Sequence, residues 1–237
     1  MFEREEKPMV MIKCGKVGQT RTFTILKPIL IKHSKFFDKC LRNPCKESES
    51  LTIEFPEVRP SIMMLYLTLA TRQALINPNS ENKKPLVEPN DFKLPTGISS
   101  HIQFYQLCDY LQNHELATSV QKMILDYLNL PEDLDDETEA PAMFSIYGRS
   151  FDLLEPGHIV QAKIRRALVK SFCLFVNVSM YFKRCSDMQN HPDFLMEISK
   201  QYVLNAMWSN PAQRSAAMKI KTQRMLVDDE SEPEAED

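Results

Sequence analysis

The chain opens on strict alternation. Along residues 9–14, Val10, Ile12 and Cys14 fall on one face at a period of two, and Gly15 and Gly18 follow as turn signals. Residues 21–26 alternate again, Phe23 and Ile25 against Thr22 and Thr24, so the two segments predict a β-hairpin. The period then changes. Pro28 suits a first helical turn, where its missing N–H costs nothing. Ile29, Leu30, Phe36, Phe37, Cys40 and Leu41 then form one helical stripe, which Asn43-Pro44 ends. Residues 51–55 read as a third strand stopped by Pro56, and Pro60 opens a helix carrying Ile62, Leu65, Tyr66 and Leu69.

From 77 to 97 the rhythm fails in a stretch rich in proline and asparagine, which predicts a long exposed insertion reaching to residue 99. Helical spacing resumes at Ile102 with Tyr105, Cys108 and Leu111. Phe104, Leu107 and Tyr110 occupy the other side, so this helix is expected to be buried nearly all round. Leu116, Val120, Met123, Ile124, Tyr127 and Leu128 mark an amphipathic partner. Pro131 and an acidic strip then signal a boundary. Beyond it the pattern is wholly helical: Val160, Ile164, Ala167, Leu168, Ser171, Phe172, Phe175 and Val176 make one stripe, with weaker helices over 194–208 and 212–226. The apolar run 167–182 is predicted as one helix. At 16 residues, with Lys170 and Asn177 inside it, it falls short of the roughly 20 apolar residues a membrane span needs.

Glycine changes the picture by its scarcity. Five in 237 residues leave little backbone freedom for phosphate-cradling loops or tight all-β turns. No apolar segment follows the charged start, so no export signal is read. The six cysteines are then expected to be free thiols in a reducing compartment, the cytoplasm or nucleus. Charge is divided. Thirteen of the 32 acids lie in two strips, 132–139 and 228–237, leaving 19 against 29 bases elsewhere.

The candidate chemistry is sparse. Cys40-x4-Cys45 with His33 upstream is the one tight cluster of metal-ligating types. It lacks a second Cys knuckle and a fourth ligand, so helix packing is the expected role and neither metal nor cofactor is assigned. Gly-x-Ser-x-Gly, His-Glu-x-x-His and Walker A signatures are missing from the sequence, and no enzymatic activity is expected. His101, His114, His158 and His191 are placed near helix ends, where imidazoles satisfy backbone groups. Lys163, Arg165, Arg166 and Lys170, with Lys219, Lys221 and Arg224 later, read either as solvated faces complementing the acidic strips or as phosphate contacts. Ser231, among acids in the tail, is a candidate phosphorylation site or part of a bare solubilising tail.

The order strand, strand, helix, strand, helix, helix pair resembles the BTB/POZ fold, and local phrases agree with it. These are Val10-Met-Ile-Lys-Cys-Gly15, His33-Ser-Lys-Phe-Phe37, Leu51-Thr-Ile-Glu-Phe-Pro-Glu57 and Phe104-Tyr-Gln-Leu-Cys-Asp-Tyr-Leu111. The resemblance is greatest to the single-BTB proteins of filamentous fungi. It implies an α+β BTB-like domain over 8–130 with the 77–99 insertion, and an acidic linker over 131–141. A helical, BACK-like region over 142–226 and a disordered acidic tail over 227–237 would follow. The function implied is protein interaction or adaptor work, extending to a substrate adaptor of a cullin-based ubiquitin ligase. The alternative is a chromatin- or nucleic-acid-associated regulator using the basic C-terminal half. Met63, Met64 and Leu65 stand where family members that bind cullins carry a hydrophobic-x-Glu pattern. They are therefore the candidate protein-binding residues, and the missing glutamate predicts weak or absent cullin binding. Only about eight residues precede the first strand, too few for the swapped extension of many BTB dimers, so a monomer or weak homodimer is expected.

Overall fold

Both alternating segments form strands, β1 (Met9–Cys14) and β2 (Arg21–Leu26), paired antiparallel with Val10 opposite Ile25 and Ile12 opposite Phe23. A third strand, β3 (Thr52–Phe55), runs parallel to β1 with Ile12 opposite Ile53, giving the order β2-β1-β3. Val10, Ile12 and Cys14 are buried while Met9 and Met11 face outward, as the period of two requires. These strands belong to a computed structural model of the protein, which describes residues 8–75, 97–129 and 140–209, leaving aside the side chains of 140–143 and 207–209. The described residues have a mixed α+β architecture dominated by helix. The acidic strips, most of the 77–99 insertion, the helix expected over 212–226, the cluster Lys219, Lys221 and Arg224, and Ser231 all lie outside them.

The stripe read as one helix from Pro28 to Leu41 is two helices, α1 (Lys27–His33) and α2 (Lys35–Arg42), broken at Ser34. Ser34 takes extended geometry, φ −112° and ψ 113°, and its hydroxyl accepts from the Phe37 N–H at 3.2 Å. The same buried hydroxyl donates to the Leu111 carbonyl. Serine competes with helix by such local bonds and is a favoured N-cap, so the hydrophobic period continues across a backbone that does not. Ser34→Ala removes the cap and leaves the Leu111 carbonyl with only the long bond from the Phe36 N–H at 3.4 Å. A loss of about 1–3 kcal/mol in chemical denaturation is the expected result, and an unchanged midpoint would contradict it.

A short helix the periodicity does not indicate, α3 (Lys46–Ser50), follows, and Leu51 leaves it with φ 48°. Then come α4 (Pro60–Leu75), α5 (Gly97–Tyr110) and α6 (His114–Asn129). Helix α5 starts five residues before the expected Ile102, so residues 97–99 are helix rather than insertion. The turn between α5 and α6 passes through Gln112 at φ 54°, and Asn113 caps α6 by accepting from the Leu116 N–H at 3.3 Å.

The described residues divide between two compact units, one within Met1–Pro131 and Arg149–Ala167 and the other within Glu132–Gly148 and Leu168–Asp237. In the first, Leu30, Phe37, Leu41, Tyr66, Phe104 and Leu116 are buried along with Val10, Ile12 and Ile53 of the sheet, and the Phe37 ring meets Phe55 edge-on with centroids 6.1 Å apart. Parts of α7 (Ala140–Asp152) and α8 (Ile159–Phe175) complete it. There Ser150 meets the Ser99 hydroxyl at 2.7 Å, and the Gln106 amide bonds the Leu153 carbonyl. His158 sits before α8 and its Nδ1 accepts from the Gln161 N–H at 3.4 Å, while Nε2 faces Asp109 at 3.4 Å.

The second unit is held by rings. Phe172 meets Phe144, Tyr147 and Phe194 edge-on, with centroids 5.0, 5.7 and 5.4 Å apart. Such geometry sets the positive ring edge on the negative face. The run 167–182, expected as one helix, breaks after α8. Asn177 takes φ −74° and ψ 160° and caps α9 (Val178–Arg184), its side chain accepting from the Met180 N–H at 2.9 Å. A 3-10 turn and α10 (Pro192–Ser209) follow. No helix among the described residues is long and apolar enough to cross a membrane.

Candidate functional site

The connection from β3 to α4 is short and tightly tied. Past Phe55 the chain turns, with the Val58 N–H on the Phe55 carbonyl at 3.2 Å. Arg59 then caps α4, its carbonyl accepting from Ile62 and Met63 at 3.0 and 3.1 Å, while Pro60 occupies the first turn without needing a donor. The Arg59 guanidinium bonds the Ser100 hydroxyl at 3.0 Å and the Gln103 side-chain oxygen, fixing the connection to α5. On the opposite side the β1–β2 turn closes on the same segment. Gly15 has φ +99°, and a Cβ there would lie 2.7 Å from the Gln19 carbonyl oxygen and 3.1 Å from the Pro60 ring. Only glycine serves at such a position.

Two concavities flank the first turn of α4. The larger, about 700 Å³, has Phe55, Val58, Ile62, Leu107 and Tyr110 on its walls. Lys16, Glu54, Glu57 and Arg59 also line it. The second, about 550 Å³, lies between the Gly18–Arg21 turn and Pro60, Ser61 and Met64. Apolar walls with a few charged groups are the usual make-up of a recognition surface.

The three residues singled out from sequence divide here. Met63 is fully buried with Ile62, Tyr66 and Leu67, so its side chain does not reach the surface. Met64 is 52% exposed at the second concavity, and Leu65, the next residue, is half-buried. Sequence reading missed Tyr110. Its place on the far face of α5 read as burial, and Phe104 and Leu107 are indeed buried, yet Tyr110 is 61% exposed. Its ring rests on Phe36 with centroids 5.3 Å apart, which leaves the remainder of the aromatic surface open. The one hint in the sequence is its position at the helix end, two residues before the left-handed turn at Gln112.

Two histidines and one residue of the basic run have structural settings. His101 lies inside α5 rather than near its end, edge-on to Tyr127, and burial lowers its pKa below the ordinary imidazole range. His33 is lowered as well by burial, partly offset by Glu115 at 3.8 Å. Arg165 donates to the Leu154 carbonyl at 2.6 Å and lies 3.7 Å above the Phe151 ring, so that guanidinium serves the fold. Lys163, Arg166 and Lys170 are exposed.

All six cysteines are free thiols. Cys40 and Cys45, with the carboxylate of Glu47, place their ligand atoms within 4.8 Å of one another, whereas His33 faces Glu115 instead. Burial pushes the Cys40 thiol up, with Cys45 and Glu47 adding to the shift. Compared with known proteins, the chain matches no family model and no curated sequence.

Proposed function

We propose that this chain is a protein-interaction module of the BTB type. It would act as an adaptor whose partner docks on the first turn of α4 and the concavities beside it. The observation that carries the reading is Tyr110, 61% exposed at the wall of an apolar groove whose backbone is held by Arg59 and Gly15. Exposed aromatic rings on rigid frames are the side chains that dominate binding energy at protein interfaces. The element order β1-β2-α1-α2-β3-α4-α5-α6, with only the short α3 added, supports the BTB assignment. The partner class this implies is protein; a cullin-based ubiquitin ligase is one such partner, to which the missing glutamate at Met63-Met64-Leu65 predicts weak binding.

The test uses Tyr110→Asp and Met64→Asp in full-length protein, purified from cells with its bound proteins and analysed by mass spectrometry beside the native chain. Both side chains are exposed, so melting temperatures should change little. Specific loss of a partner from both variants is the expected result, at a cost to binding of about 2 kcal/mol or more for Tyr110. Recovery of the same partners in the same amounts would overturn the reading. Leu65→Glu addresses the cullin directly: restored charge should strengthen binding to a purified cullin N-terminal region if that surface is used.

A further inference from the structure

We propose that Cys40, Cys45 and Glu47 form a binding site for a thiophilic divalent cation of the zinc class, held by two thiolates and one carboxylate oxygen with a fourth position open. The three ligand atoms already lie within 4.8 Å of one another. A tetrahedral zinc with bonds of about 2.0–2.3 Å sets its ligands about 3.5–3.8 Å apart, so small side-chain rotations close the site. Two sulfur donors select against hard cations such as calcium and magnesium, which take oxygen ligands. All three residues are half-buried, which leaves a path for the ion.

The backbone holds this arrangement independently of any ion. Helix α2 ends with the Asn43 N–H on the Lys39 carbonyl at 3.2 Å, and Asn43-Pro44 turns the chain back. The Cys45 thiol thereby donates to the Cys40 carbonyl at 3.1 Å. Cys45 is then fixed by Ser48: its N–H donates to the Ser48 hydroxyl at 3.0 Å, and its carbonyl accepts from the Ser48 N–H at 3.1 Å. Glu47 follows in the first turn of α3, where an acid is favoured by the exposed N–H groups. A disulfide would need no third residue, but a cation does, and Glu47 supplies it. On binding, each thiol releases one proton to solvent. Two S–metal bonds and one O–metal bond replace water on the hydrated ion, with no change of oxidation state.

Cobalt(II) is the probe, titrated into the full-length protein kept reduced by a phosphine. One equivalent is expected to bind, with a thiolate-to-cobalt charge-transfer band and the intense visible absorption of tetrahedral cobalt. Zinc should then displace it. Cys40→Ser and Cys45→Ser should each abolish the charge transfer or weaken affinity about 100-fold, and Glu47→Gln about tenfold. Serine at position 45 retains a capping side chain, and Glu47→Gln is near-isosteric, so folding is checked by circular dichroism and expected to persist. Cys173→Ser and Cys185→Ser serve as controls that should bind like the native chain. No band at one equivalent, or a band that survives Cys40→Ser and Cys45→Ser, overturns the proposal. Because the readout is the metal alone, failure here would leave the interaction reading untouched.

Discussion

Leu168→Asp is expected to cost about 4 kcal/mol or more, a large share of the total stability of a domain of this size. Leu168 is fully buried on α8, on the same stripe as Phe172, and Phe172 gathers three aromatic rings around it. A carboxylate at this fully buried position must either be protonated or drag water into the core. Both routes cost far more than the leucine's lost transfer energy. Leu174, six residues on, is 77% exposed on the same helix and supplies the contrast. Leu174→Asp should alter stability by less than about 0.5 kcal/mol. Circular dichroism melts of the two variants decide the matter: equal melting temperatures would mean that Leu168 is not core.

The success of that stripe, and of the strands, rests on a simple cause. Burial of one face imposes a period, and Val10-Ile12-Cys14 or Ile164-Leu168-Phe172 must show it wherever a core exists. Breaks in the backbone carry no such signature. Ser34 and Asn177 interrupt helices while the hydrophobic spacing continues past them, because each cap is a polar bond that leaves the apolar stripe intact. The start of α5 was hidden for a related reason. Ser100 is buried there, and the Arg59 guanidinium that satisfies it lies 41 positions earlier in the chain. Candidate sites suffer more. Met63 and Met64 are adjacent and chemically identical, yet one is core and the other surface. Cys40-x4-Cys45 reads as helix packing until the turn at Asn43-Pro44 folds it back toward Glu47.

Asn113→Leu is the second large effect expected, about 3 kcal/mol, since one side chain here closes several bonds at once. Its amide donates to the Gln73 side-chain oxygen at 2.9 Å, and its own oxygen accepts from the Leu116 N–H at 3.3 Å and faces the Gln73 amide at 3.4 Å. Tyr66 also hydrogen-bonds Asn113, and burial pushes its phenol up to about 12, so it stays neutral across the physiological range. Gln73 and Asn113 are both buried, which makes an unpaired amide expensive. Leucine at 113 is close in volume but removes the cap of α6 and strands the Gln73 oxygen. Removing both amides should therefore cost less than the sum of the separate changes, because no orphan oxygen remains. Chemical denaturation of Gln73→Leu, Asn113→Leu and the double variant measures this. A coupling of at least about 1 kcal/mol is expected, lowered somewhat by the bond Gln73 keeps to Glu115 at 2.8 Å. Strict additivity would mean the two amides are solvated separately.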